Sequence, residues 1–160
     1  LIKKIVTELS KKENNYNLTI KIHPSSEQLI DYETIVHKID KSIEIFQQGD
    51  ILEYIVNADV IISYSGSSSL VYALMCNKPI IICNFYDLKN DIFIDGNVAV
   101  SCKNEKEVKK TIEKVGIKSF IKKENVEKFI AEYFHKLDGK ASERIGNEIL
   151  KIVKNQSRNI

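Results

Sequence analysis

Five short apolar runs, separated by stretches with helical spacing, constrain this chain more than anything else in it. The runs are residues 18–22, 42–46, 60–62, 80–83 and 98–102. The first two alternate apolar and polar side chains, the period of a strand with one face turned to water. Val60-Ile61-Ile62 and Ile80-Ile81-Ile82-Cys83 are continuous and β-branched, which suits strands covered on both faces. Around them, Ile2, Ile5, Val6 and Leu9 fall on one helical face within residues 1–12, with lysines opposite. Further helices are expected over 25–39, started by Ser25-Ser26-Glu27, and from Asp50 to Val56, capped by Asp50. Another runs from the serines at 67–69 to Asn77-Lys78-Pro79. Residues 105–115, part of 120–137 and 140–154 complete the helices. The last carries Ala141, Ile145, Ile149, Leu150 and Val153 on one stripe. Strands alternating with helices imply an α/β fold, a doubly wound parallel sheet with helices on both faces.

A length of 160 residues suffices for a single domain with a real core, and 43% hydrophobic against 29% charged residues is a globular balance. A net charge of +2 gives no electrostatic argument for nucleic acid, and the lysines of 103–114 read as a solvated helix face. No apolar run is long enough to span a bilayer, and no signal-peptide pattern is visible. Cys76, Cys83 and Cys102 are odd in number and widely spaced. Buried reduced thiols in a cytoplasmic protein are therefore expected, rather than disulfides or a metal site. The chain opens on Leu1 and on a helix, whereas a doubly wound unit ordinarily opens on a strand. This points to a piece of a longer protein.

In open α/β sheets, ligands bind outside the carboxyl ends of the strands. His23-Pro24 follow the first run, Gln47-Gln48-Gly49 the second, Ser63 to Ser69 the third and Asn84 to Asp87 the fourth. The third is the most suggestive. Gly66 gives the backbone freedom, and Ser67, Ser68 and Ser69 offer hydroxyls and N–H groups at a helix start, a natural seat for phosphate. An ordinary serine-capped turn has the same pattern. His23 can donate to a phosphate oxygen, although a lone histidine at a strand end is more often structural. Residues 84–95 form a loop long enough to suggest a site, with Asp87 and Asp91 as surface carboxylates by default. His37 and His135 look like surface residues. No G-x-G-x-x-G, Walker loop, H-E-x-x-H, nucleophile elbow or zinc spacing occurs.

The motifs Lys21-Ile22-His23-Pro24, Ser67-Ser68 and Tyr72-Ala73-Leu74 through Asn77-Lys78-Pro79-Ile80-Ile81 resemble the carboxyl-terminal, donor-binding half of GT-B glycosyltransferases. Within that group they are similar to the bacterial sialyltransferases, the capsule transferases and the CDP-glycerol glycerophosphotransferases of teichoic acid synthesis. Asp138-Gly139-Lys140-Ala141-Ser142-Glu143-Arg144-Ile145 is similar to the closing helix of those glycerophosphotransferases, and equally to the end of the UDP-N-acetylglucosamine 2-epimerases. The resemblance implies a Rossmann-like domain spanning residues 1–160, part of a two-domain GT-B protein of the cytoplasm, peripheral to the membrane through other parts of the protein. It implies that His23, Gly66, Ser67, Ser68 and Ser69 hold the phosphate of a nucleotide-activated sugar or polyol. Phe46 and Gln47 would lie at the base, and Tyr72 at the ribose. It also implies metal-independent transfer without a cofactor, in which dipoles and side chains neutralise the leaving phosphate. The acceptor, saccharide or lipid-linked, would belong to an amino-terminal domain outside this chain, so the chain alone would bind a donor without turning it over.

Two departures from the family pattern stand out. Tyr72 occupies a position where many relatives carry an acidic residue for the ribose hydroxyls. Ser65-Gly66-Ser67-Ser68 lacks the second glycine and the paired glutamates of the epimerases. The alternatives are therefore an epimerase-like domain, against which the missing glutamates count, and a degenerate binding module without catalysis, which Tyr72 favours.

Overall fold

The computed structural model describes residues 1–25, 27–115 and 121–156. Its internal contacts divide the chain into two units, Leu1–Lys122 and Lys123–Ile160. In the first unit the elements run α1 (Ile2–Leu9), β1 (Thr19–Lys21), α2 (Leu29–Val36), β2 (Glu44–Phe46), α3 (Ile51–Asn57), β3 (Ile61–Ser63), α4 (Leu70–Met75), β4 (Ile80–Cys83), α5 (Ile92–Asp95), β5 (Val100–Cys102) and α6 (Glu105–Val115). Every strand pair is parallel. β1 lies beside β2, with Lys21 opposite Phe46, and β3, β4 and β5 lie side by side, with Ser63 opposite Ile82 and Cys83 opposite Cys102. The architecture is thus the expected Rossmann-like α/β, with one difference: the strands hydrogen-bond as a pair and a triple rather than as one continuous sheet.

One helix serves both sheets. Ile5 and Leu9 of α1 pack with Ile81, Cys83, Cys102 and Val108, while Val6 packs with Val36 and Ile43. The i, i+3, i+4, i+7 spacing of Ile2, Ile5, Val6 and Leu9 produces a stripe wide enough to face two clusters at once. Each such side chain, fully buried, contributes about 1.5–3 kcal/mol. β4 is the centre of the triple and is buried at all four positions, as its unbroken Ile-Ile-Ile-Cys run requires. β1 (Thr-Ile-Lys) and β3 (Ile-Ile-Ser) carry polar residues and are only partly covered.

Local chemistry sets the element ends. Asp50 caps α3 by accepting from Leu52 N–H at 2.9 Å, as the sequence suggests. α4 ends in a Schellman motif: Asn77 takes φ +52°, its N–H donates to Leu74 C=O, and Lys78 N–H donates to Ala73 C=O. Pro79 then forbids further helix. Three expectations need correction. The helix after His23 starts at Leu29 with Gln28 at its N-cap, not at Ser25–Glu27 (Ser26 lies outside the described residues), because Ser25 and Glu27 are bonded back to His23. The 84–95 stretch is not all loop, since Asp91 caps the short helix α5. Finally, no serine side chain caps α4. Ser69 is its N-cap residue, and its hydroxyl accepts from no helix N–H; Ser67 Oγ accepts from Ser69 N–H at 3.4 Å, and the first turn closes through Leu70, Val71 and Tyr72 N–H onto the carbonyls of Ser67, Ser68 and Ser69.

In the second unit α7 (Lys123–Tyr133) carries buried Phe129, whose ring lies 4.8 Å from that of Tyr133. Residues 116–120, among them Phe120 where the helix expected over 120–137 begins, lie outside the described residues. Gly139, at φ +71°, turns the chain into α8 (Ala141–Gln156). Asp138 holds this turn by accepting from Lys140 N–H at 3.0 Å and from Arg144 Nη1 at 2.9 Å. These two donors keep the Asp138 carboxyl below the usual range. The stripe of α8 is exposed at Ile145, Ile149, Leu150, Ile152 and Val153.

Candidate functional site

The carboxyl ends of β1 and β2 are joined by side chains. Ile22 N–H donates to Phe46 C=O at 2.9 Å, and Lys21 Nζ donates to the carbonyls of Gln47 (2.8 Å) and Ile22 (3.1 Å). The Gln47 amide reaches back to Glu27 C=O at 2.8 Å and Pro24 C=O at 3.3 Å. Glu27 accepts from His23 N–H at 2.7 Å through one oxygen and from the Tyr32 hydroxyl through the other. Burial, then the Glu27 contact, pushes the Tyr32 hydroxyl up to about 12, so it stays a donor. His23 is exposed, and its Nδ1 accepts from Ser25 N–H at 3.2 Å. That acceptor role puts the proton of the neutral ring on Nε2, the form that can donate to an anion. Two of the candidate residues, His23 and Gln47, are thereby brought into one hydrogen-bonded turn.

Phe46 is half-buried against Tyr54, with ring centroids 5.0 Å apart. Gly49, at φ +98°, needs to be glycine twice over, since a Cβ there would also lie 2.9 Å from the Tyr54 hydroxyl.

The serine turn follows β3. Ser63 Oγ donates to Ser65 C=O at 2.7 Å, and the hydroxyls of Ser67 and Ser69 lie 2.9 Å apart. Gly66, Ser67 and Ser68 are exposed. Gly66 does not adopt the left-handed conformation that its residue type first suggests. A Cβ there would fit tightly, 3.1 Å from Phe93 Cδ2 and 3.2 Å from Asp91 Oδ2, so its neighbours would have to give by a few tenths of an ångström. Gly66 N–H donates to Asp91 Oδ2 at 2.7 Å, while Asp91 Oδ1 accepts from Phe93 N–H (3.0 Å) and Ile94 N–H (3.4 Å). Asp91 is thus the tie between the turn and α5, where the sequence suggested a surface carboxylate. Tyr72 is on α4, three residues past Ser69, with 45% of its surface exposed.

The 84–88 segment is shaped by Asn84, buried yet satisfied: its amide donates to Leu88 C=O at 3.0 Å and its oxygen accepts from Leu88 N–H at 2.6 Å. Asp87 is paired with Lys103, which keeps its carboxyl below the usual range. Cys83 and Cys102 are buried, reduced neighbours across β4 and β5. Burial pushes the Cys83 thiol up to about 12 and Cys102 upward, which makes both poor nucleophiles. His37 is half-buried at the end of α2, with Nε2 3.1 Å from Ile43 C=O, and is less a surface residue than its position suggests.

A cavity of about 120 Å³ lies at the opposite ends of β1 and β2, lined by Leu9, Ser10, Asn14, Asn17, Asp40 and Ser42 among others, and is separate from both turns.

The missed residues are Lys21, Glu27, Tyr32 and Asp91. Only Asp91 left a signal in the sequence, an Asp two residues before Phe93 in cap position.

No curated protein and no solved structure matches the chain. No helix among the described residues is long and apolar enough to cross a membrane. One family model does match, over residues 5–151, and its description is CDP-Glycerol:Poly(glycerophosphate) glycerophosphotransferase, a transferase of the polyol-phosphate and glycosyl kind. That match takes in both turns, every strand and most of α8, so this chain belongs to the CDP-glycerol:poly(glycerophosphate) glycerophosphotransferase family.

Proposed function

We propose that the chain binds the nucleotide-activated donor of a metal-independent GT-B-type transferase, one that adds a polyol phosphate or a sugar to a surface polymer from the cytoplasmic side. The observation that carries this is the placement of His23 and the serine turn at the carboxyl ends of parallel strands, where α/β sheets receive ligands. His23 donates from Nε2 to a donor phosphate, and the hydroxyls of Ser67, Ser68 and Ser69 take the remaining oxygens. As the bond to the transferred group breaks, negative charge builds on the leaving phosphate. Hydrogen-bond donors held at the strand ends stabilise that charge. Phe46 and Gln47, at the end of β2, lie toward the base, and Tyr72 lies toward the ribose. The acceptor is supplied by an amino-terminal domain of the same GT-B assembly.

The test is a thermal-shift panel of CMP, CDP, UDP, GDP and their sugar or glycerol conjugates. A ligand specific for the folded state raises Tm. We expect one base series to do so, and His23→Ala and Ser68→Ala each to weaken that ligand about tenfold, the scale of one charge-assisted hydrogen bond. Both side chains are exposed, so Tm without ligand should stay put. A nucleotide that binds both variants as it binds the wild type would remove the site assignment, and a panel without any shift would remove the donor-binding function.

A further inference from the structure

Asp91 uses its two oxygens for different tasks. Oδ1 caps α5 through Phe93 and Ile94 N–H, while Oδ2 reaches out of that helix to Gly66 N–H, 25 residues earlier in the chain. The Gly66 contact is the shortest of the three, at 2.7 Å. The absence of a side chain at position 66 leaves room for this approach, since a Cβ would stand 3.2 Å from that same oxygen, a tight contact. Gly66 itself is exposed and immediately precedes the three serines. A carboxylate oxygen therefore already sits on a backbone donor of the turn, in the manner of a bound anion, and one N–H cannot serve two anions.

We infer that Asp91 is an internal competitor for the anion seat of the serine turn, and so sets how strongly that turn takes a phosphate. This rests on the donor-binding function proposed above. The incoming phosphate takes Gly66 N–H from Oδ2, while Oδ1 keeps its hold on α5, so the turn opens without unfolding the helix. The carboxylate charge, still held at α5 through Oδ1, goes on repelling the phosphate beside it. The ligand class is a phosphate or diphosphate anion, with or without a nucleoside.

Asp91→Asn separates the two tasks. The amide oxygen satisfies both α5 donors, so the amide NH2 faces Gly66 and cannot accept from it. Titration of the full chain with inorganic pyrophosphate, CDP and cytidine should show affinity for pyrophosphate and CDP rising about tenfold in Asp91→Asn, with cytidine unchanged. Asp91→Ser, a shorter uncharged cap, should behave alike should the Asn variant fold poorly. In the wild type, pyrophosphate should move the Gly66 amide and the Asp91 carboxyl resonances together. Affinity that is unchanged or lower in folded variants, while the wild type binds, overturns the competition and leaves donor binding standing. Saturating pyrophosphate that leaves both resonances still overturns the competition in the same way. Failure of pyrophosphate and CDP to bind either protein overturns both.

Discussion

The turn after β1 and the turn after β3 stand at equivalent places in the fold and are held in opposite ways. The His23-Pro24 turn is fastened from several sides, by Lys21, Glu27 and Gln47, with Tyr32 bracing Glu27. The serine turn is tied to the rest of the unit by Asp91. Many small ties make a turn that tolerates the loss of any one. A turn held to the next loop by one charged hydrogen bond and the Tyr64–Tyr86 ring contact has a position that follows that loop. The difference suits a fixed donor at His23 and an adjustable one at the serines.

The largest effect should come from denying the serine turn its tie by bulk. Gly66→Val drives a side chain into Phe93 and Asp91, and should cost about 2–3 kcal/mol in denaturant unfolding. A cost below about 0.5 kcal/mol, the range of an ordinary surface change, would show that the turn is not packed on α5. Asp91→Ala comes next. It removes the α5 cap as well as the Gly66 bond, and should cost about 1–2 kcal/mol. On the other turn, Glu27→Ala should cost less, about 1 kcal/mol, because His23 N–H lies where water can replace the lost partner. Gln47→Ala should be smaller still, about 0.5 kcal/mol. If Glu27→Ala proved worse than Asp91→Ala, the contrast between distributed and concentrated ties would be reversed. The last prediction leaves stability alone. In the native protein Cys76, which is partly exposed, should react with iodoacetamide well before Cys83 and Cys102, whose burial holds them as thiols. Equal labelling, followed by mass spectrometry, would show β4 and β5 opening as easily as the turns.

The sequence by itself determined the five strands, most of the helices and the strand-end location of the candidate residues. Those features depend on local periodicity and on residues with intrinsic conformational preference, such as the Asn77-Lys78-Pro79 stop and the Asp50 cap. It also determined family, because the family model matches the amino-acid sequence itself over residues 5–151. Only the tertiary structure decided which strands share a sheet, that α1 serves two clusters, and what becomes of each polar group at the turns. Ser69 does not cap α4 with its side chain, Gly66 fits tightly against Phe93 and Asp91 without a left-handed backbone, and an apparent surface carboxylate holds the turn in place. A hydrogen bond from Gly66 to Asp91 spans 25 residues, and no local pattern encodes its partner. Which acceptor a donor meets is settled only once both strands are packed, since an unmet polar group in a folded chain costs more than any local preference can recover.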